Sequence, residues 1–171
     1  MVEIIKTIKQ NKVKVCDRMD TIAGYFDSPM GLIKICGNEH GITSLDFVHE
    51  KDQIELQNEI IIEAILQLKE YFNGNRKEFN LPVFLEGTAF QIRVWEMLTT
   101  VKYGRTATYK DIASLVNNEK ASRAIGGANN KNPVAIIIPC HRIIGSNGKL
   151  IGYAGGLDKK QWLLEHEMRN N

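Results

Sequence analysis

Residues 136–144 read IIIPCHRII, which sets Cys140 beside His141 inside the most apolar run of the chain. A free thiol with a pKa near ~8.5 is only slightly ionised at neutral pH, so a nucleophilic cysteine needs a proton acceptor. An imidazole that accepts the proton needs a carboxylate to orient it in turn. Two readings fit Cys140: a small inert hydrophobe filling a core, or a nucleophile with its base next door. On a regular strand adjacent side chains point to opposite faces, which would keep the two side chains apart. Pro139 lacks a ladder donor, so the spacing predicts that the strand ends or bulges there and turns the thiol toward a cavity. A bend or a bridging water then has to connect His141 to the sulfur.

Three further stretches carry polar chemistry. LDKKQWLLEHEMRN offers Glu165, His166 and Glu167 on a C-terminal helix, and spacing does not choose among them. GSNGKLIGYAGG, with Tyr153 and Ala154 among its glycines, is either a tight pocket wall with backbone N–H groups turned inward or an ordinary loop. NNEKASRAIGGANN places Gly126 and Gly127 inside a helix, at a cost of about 2 kcal/mol for the pair relative to alanine. Small residues plus Arg123 leave that helix a nearly bare face, suited to docking in a nucleic-acid groove or to close packing on its own protein.

Charge bears on that choice. Residues 102–149 contain eight bases and two acids, a net +6 in a chain whose total is +2, so the remainder carries −4. A basic segment on a mildly acidic body is the footprint of a phosphate-backbone binder, and solvated surface lysines produce the same count.

These groups need elements to hold them. A chain of 171 residues, 43% apolar and 25% charged, can bury a core without staples. Its N-terminus scatters lysines through apolar residues and lacks a secretory h-region, and no apolar run approaches the length of a membrane span, so a cytoplasmic protein is expected. Three widely spaced cysteines, Cys16, Cys36 and Cys140, point to reduced thiols rather than a disulfide framework. TIAGYF (21–26), GLIKIC (31–36) and GITSLDFV (41–48) read as an antiparallel meander. Asp52 with Glu55 forms a capping pattern for a helix of some twenty residues through Ile54, Ile61, Ala64, Ile65, Leu68, Tyr71 and Phe72. NGNRKEFNLPVFLEGT then reads as a linker. Thr88 caps a helix carrying Phe90, Val94, Met97, Leu98 and Val101, which Gly104 ends. Thr108 and Asp111 form a second capping box before Ile112, Ala113, Leu115 and Val116, and the next helix repeats Ala121, Ala124, Ile125 and Ala128. Two short helices across an Asn-Asn turn are a helix-turn-helix or a plain αα-hairpin.

GTAFQIRVW (87–95), YGRTATYKDIA, ASRAIGGANNKNPVAIIIPCHRIIGSNGKLIGYAGG and WLLEHE together resemble the O6-alkylguanine-DNA alkyltransferases, single-use repair proteins that move an alkyl group from damaged guanine to their own cysteine. The first half is similar to that family's smaller domain more loosely, through FDSPMGLIKI and LKEYFNGNRKEFNLP. The resemblance implies an α/β fold: a small RNase H-like N-terminal domain, antiparallel sheet plus helix, over 1–82, and a mostly helical DNA-binding and alkyl-acceptor domain with the helix-turn-helix over 83–171.

The same resemblance makes Cys140 the alkyl acceptor. His141 would take its proton through a water, Glu167 would orient the imidazole, and Asn132 would brace the network. Tyr109 would donate to N3 of a flipped guanine, the Ala154 N–H would face the exocyclic oxygen, and the carbonyls of Cys140 and Ile143 would accept from the 2-amino group, with Tyr153 also lining the pocket. Arg123 would fill the gap in the base stack, with Ala121, Ser122 and Gly126 on the same DNA-facing helix, laid in the minor groove. The implied partner is double-stranded DNA containing alkylated guanine, met by a monomer without a cofactor, membrane or obligate protein partner. O4-alkylthymine is left open as a further substrate. Cys16, Cys36, His40 and His49 do not reproduce the zinc pattern associated with animal members, so no metal is expected. Lys102 and Thr108 depart from common family residues without touching the proposed chemistry, and Ala154 stands where serine is common, a change that a bond from the backbone N–H tolerates. A Cys-His-Glu thiol hydrolase and a non-catalytic lesion-binding protein are the competing readings.

Overall fold

A computed structural model describes residues 3–8, 22–52 and 58–171. They divide into two compact units, Met1–Glu86 and Gly87–Asn171.

The first unit is built on a five-stranded sheet of order β1-β5-β4-β3-β2, with β1 Glu3–Ile8, β2 Ile22–Ser28, β3 Gly31–Asn38, β4 Gly41–Phe47 and β5 Pro82–Gly87. The expected meander is present, with β2/β3 and β3/β4 antiparallel. The sheet is mixed, because β5 runs parallel to β4 through Ile42 and Val83. Six residues of the stretch read as a linker, Pro82–Gly87, are therefore a strand. Its alternating Leu81, Val83 and Leu85 are buried, a period-two signal that the surrounding polar residues masked.

Helix α1, Glu59–Phe72, sets Ile61, Ala64, Leu68, Tyr71 and Phe72 into the core of this unit. It begins later than expected. Its cap is Asn58, whose side chain accepts from the Ile61 N–H, and Asp52 instead pairs with Lys34 and donates its N–H to the Tyr25 hydroxyl at 2.9 Å. Ile54 and Glu55 lie outside the described residues. The buried Gln67 amide accepts from the Asn80 N–H at 2.8 Å and donates to the Asn80 carbonyl at 3.0 Å, so the segment before β5 is fastened to α1 as if to a strand edge. Cys36, buried on β3, is disulfide-bonded, with its partner outside the described residues. This corrects the reading of three reduced thiols: an odd count leaves room for a pair, and Cys140 is the free cysteine among the described residues.

The second unit is mostly helical: α2 Ala89–Leu98, α3 Tyr109–Leu115, α4 Ser122–Asn130 and α5 Leu157–Arg169, with a two-residue parallel pair of β6 Ala107–Thr108 and β7 Ile143–Ile144. Thr88 caps α2 as expected, and Gln91 completes a capping box there; the expected box at Thr108 with Asp111 also forms. Helix α2 stops at Leu98, short of Gly104. The α3–α4 pair spans the Asn-Asn turn, with a 3-10 turn at Glu119–Ala121 opening the second helix. Trp95 on α2 ties to α4 through its indole N–H, which donates to the Ala128 carbonyl at 2.8 Å. Among the described residues no helix is long and apolar enough to cross a membrane.

Candidate active site

The isoleucine run before Cys140 does not form a regular strand. Ile136 has φ 72°, and the Ile137 N–H donates to the Ala135 carbonyl at 2.9 Å, which closes a γ-turn of the strained kind. Pro139, at φ −81° and ψ 60°, centres a second and relaxed γ-turn, with the Cys140 N–H on the Ile138 carbonyl at 2.8 Å. A 3-10 turn, Cys140–Arg142, follows. A β-branched residue at positive φ costs roughly 1–3 kcal/mol and persists only where its surroundings over-determine it, as they do for the fully buried Ile136. The predicted break at Pro139 is thus a turn that lifts three successive polar side chains off any strand.

Those three side chains have different surroundings. Cys140 is 4% exposed, yet polar groups face its thiol: the Asn132 side chain hydrogen-bonds it, and Tyr109, Tyr153 and Lys160 interact with its charge. Burial pushes the thiol up to about 11, against the opposing pull of Asn132 and the Lys160 ammonium. His141 and Glu167 are both 0% exposed, with His141 Nε2 2.8 Å from Glu167 Oε1. Glu165 lies apart from this contact, accepting from the Gln161 amide, and His166 stacks on Trp162. No direct thiol–imidazole hydrogen bond links Cys140 to His141, whose Nδ1 is buried without a hydrogen-bond partner among the described residues. Burial lowers the imidazole pKa, Glu167 pulls it upward, and Arg142 and Lys160 push it down again.

Arg142 completes the cluster. Its Nε and Nη2 each reach a Glu167 oxygen at 2.9 Å, its Nη1 donates to the Val101 carbonyl at 2.6 Å, and the Gly104 N–H donates to Glu167 Oε2 at 3.0 Å. Burial alone would raise the Glu167 pKa, but the hydrogen bonds and charges of His141 and Arg142 together hold it well below the usual carboxylate range.

Across the thiol, Lys160 is fully buried on α5 and donates to the carbonyls of Ile143 and Ile151, with burial lowering its pKa to about 8. The Tyr109 hydroxyl donates to the same Ile151 carbonyl at 2.9 Å. Gly152, at φ +63°, lets the loop pass this hydroxyl, where a Cβ would come within 2.6 Å of the oxygen. The Asn129 amide donates to the carbonyls of Cys140 at 3.4 Å and Gly152 at 3.2 Å. Asn132, on the turn after α4, donates to the Ile138 carbonyl at 2.8 Å and accepts from the Val134 N–H at 3.1 Å. Ile143 and Tyr153 are buried near the thiol turn and in the loop, and Ala154 is exposed.

On α4, Arg123, Ala124, Gly127 and Asn130 are exposed, Ser122 and Gly126 are half-buried, and Ala121 is buried in the 3-10 turn ahead of the helix. A Cβ on Gly127 would meet nothing within 4 Å, and one on Gly126 would make ordinary contact with the Tyr109 ring at 3.8 Å. Neither glycine is needed for packing inside the protein, which removes the bland explanation of the pair and leaves an open, shallow face beneath Arg123.

Lys160, Asn129 and the pairing of Arg142 were missed from the sequence. Lys160, Leu163 and Glu167 stand at i, i+3 and i+7, the stripe that α5 buries, so a charged residue at both ends of an amphipathic stripe was the available signal. Among the described residues no group of three or more His, Cys, Asp or Glu could hold a metal ion.

Two family models match the chain: the ribonuclease-like domain of 6-O-methylguanine DNA methyltransferase over residues 22–85, and that enzyme's DNA binding domain over residues 89–169. The chain belongs to the O6-methylguanine DNA methyltransferase family. Methylated-DNA–protein-cysteine methyltransferases of Methanosarcina barkeri and Methanosarcina acetivorans are 48% and 49% identical, over 85% and 83% of this chain and 98% and 95% of theirs. The crystal structure of the Mycobacterium tuberculosis O6-methylguanine methyltransferase matches at TM-score 0.81 and 38% identity, covering 88% of this chain and 94% of that one. A structure of the M. tuberculosis protein in complex with DNA matches at TM-score 0.79 and 39% identity, over 88% and 93%. The family assignment agrees with both units: a sheet-plus-helix ribonuclease-like domain, then a helical DNA-binding one.

Proposed function

We propose that Cys140 is the atom that receives the methyl group in this family's reaction, the repair of O6-methylguanine in DNA by transfer to a protein cysteine. The observation that carries the reading is the convergence of one free thiol, a buried His141–Glu167 pair and Asn132 on a turn set beside an open helix face that carries Arg123. The Cys140 proton passes to His141 Nδ1 through a bridging water, the S–C bond forms as the C–O bond breaks, and the electron pair leaves on the guanine oxygen. The thioether has no ready hydrolytic exit, so one molecule repairs one lesion and needs no co-reactant.

The methyl carbon hangs from a base stacked in a duplex, so the nucleotide has to be everted, at a cost of a few kcal/mol. Arg123 on the exposed face of α4 fills the vacated stack and offsets part of that cost. Ser122, Gly126 and the backbone at Ala121 lie along the DNA, and the C-terminal domain, residues 83–171, carries both DNA contact and methyl acceptance. In the pocket the Tyr109 hydroxyl turns from the Ile151 carbonyl to purine N3, and the Ala154 N–H meets the exocyclic oxygen. The Cys140 and Ile143 carbonyls accept from the 2-amino group, the latter with the lone pair that Lys160 leaves, and Tyr153 closes the side. The protein works as a monomer in the cytoplasm.

Incubation with duplex DNA containing O6-methylguanine should add one methyl to the Cys140 peptide by mass spectrometry, with product capped at one equivalent. Repair with that peptide unmodified overturns the assignment, and many turnovers per chain would indicate a thiol hydrolase.

A further inference from the structure

We propose that Arg142 is a positioning residue for methyl transfer: its guanidinium neutralises Glu167, so that His141 rests as a neutral imidazole whose Nδ1 is the proton-accepting atom. The inference rests on the reading of His141 as the base for Cys140.

A buried carboxylate 2.8 Å from an imidazole, acting alone, favours the imidazolium, which has no lone pair with which to accept a proton. Here that carboxylate is shared. Arg142 spans both of its oxygens from Nε, at 2.9 Å to Oε2 and 3.2 Å to Oε1, and adds Nη2 to Oε1 at 2.9 Å. The Val101 carbonyl holds the far side of the guanidinium, and the ring of Tyr103 lies 5.8 Å from its centre. The Gly104 N–H occupies the remaining face of Oε2. Burial of the ring is the largest influence against an imidazolium, and the guanidinium, one permanent cation on one anion, offsets part of the carboxylate's opposing pull.

The charged and titratable groups facing His141 are Glu167 and Lys160 from α5 and Arg142 from its own turn, with Cys140 adjacent on that turn and Tyr103 facing the Arg142–Glu167 pair. Lys160 adds a second positive charge that disfavours an imidazolium. Since an ionised carboxylate only accepts, the ring proton sits on Nε2 and the lone pair on Nδ1. That is the buried ring nitrogen left without a partner among the described residues. When Cys140 is deprotonated, the proton arrives at Nδ1 while the Nε2–H bond to Glu167 stays intact.

The test combines ring nitrogen NMR on the wild-type protein with pH–rate profiles of single-turnover methyl transfer. The wild type should show His141 as the neutral Nε2–H tautomer at neutral pH, with a titration midpoint below the ordinary 6.5. In Arg142→Gln the acid limb of the rate profile and the His141 titration should both move up by about one pH unit, while Arg142→Lys stays within a few tenths. A wild-type His141 already protonated at neutral pH overturns the proposal, and this reading needs no variant to fold. So does a Gln variant slowed equally at every pH with an unmoved titration, the signature of a merely structural arginine. Failure of the underlying reading looks different: His141→Phe would then react at the wild-type rate while the titration results stood.

Discussion

The two units of this chain are stabilised in different ways. Among the described residues of Met1–Glu86 the fully buried large side chains are apolar or aromatic: Ile33, Ile35, Ile42, Leu68, Tyr71, Val83 and Leu85 are all 0% exposed. Among the described residues, the Lys34–Asp52 and Arg76–Glu70 pairs of this unit lie at the surface, where such pairs contribute little. In Gly87–Asn171 the interior includes His141, Arg142, Lys160 and Glu167. Burying charge is expensive even when it is paired, and a well-packed apolar replacement is often as stable or more so. A unit that keeps four such groups around one thiol is organised for chemistry at the expense of stability, whereas the described interior of the other unit is largely apolar.

The sharpest break between the units is chemical. Cys140→Ser should abolish methyl acceptance while leaving the thermal unfolding of the chain nearly unchanged, as followed by calorimetry and mass spectrometry. Next comes a matched pair of destabilising changes. Glu167→Gln leaves the Arg142 guanidinium buried without its counter-charge and should cost about 3–5 kcal/mol. Leu68→Ala on α1 should cost about 2–5 kcal/mol by opening a cavity. Urea titration should find the two alike, whereas the transfer rate per folded molecule should fall only for Glu167→Gln. Equal rate losses would dissolve the distinction drawn here.

Acid should expose the buried charges. The folded-state pKa of His141 lies below its ordinary 6.5, so as pH falls through that value the unfolded chain takes up a proton that the folded chain resists. Glu167, also lowered, adds the same effect below its ordinary 4.5. The urea midpoint should therefore decline from pH 7 to pH 4 as the folded pKa values are approached, and a flat midpoint would mean that these groups titrate freely.

Arg123→Ala should slow repair in duplex DNA by about tenfold, a fraction of the few kcal/mol needed to unstack a base, and leave reaction with a free O6-benzylguanine-like base within about twofold. Equal losses on both substrates would remove the stack-filling role. The smallest effects come from helix caps. Asn58→Ala and Thr108→Ala should each cost about 1 kcal/mol. Only the second, adjoining Tyr109, should also change the transfer rate.

How far the fold was legible depended on the range of the signal. Thr88 and Thr108 were readable as caps because each box closes within four residues. Asp52 misled because it offers the same local pattern, and only its distant partners Lys34 and Tyr25 take it away from the helix. The strand after Pro82 was hidden by the polar stretch leading to it, and its role is apparent only beside β4, some forty residues earlier. At the site, the cysteine, its histidine and the glycine pair were visible as chemistry, but the roles of Lys160 and Arg142 were not.

By itself the sequence determined which atoms could react and where two of the helices begin, at Thr88 and Thr108, because nucleophilicity and capping belong to a residue and its near neighbours. Tertiary structure decided the rest: that an isoleucine run bends through two γ-turns, that Glu167 rather than Glu165 meets His141, and that Arg142 and Lys160 are buried. The physical reason is that strain and buried charge are tolerated only where several distant segments converge, and their balance is a property of the assembled unit rather than of any stretch of chain.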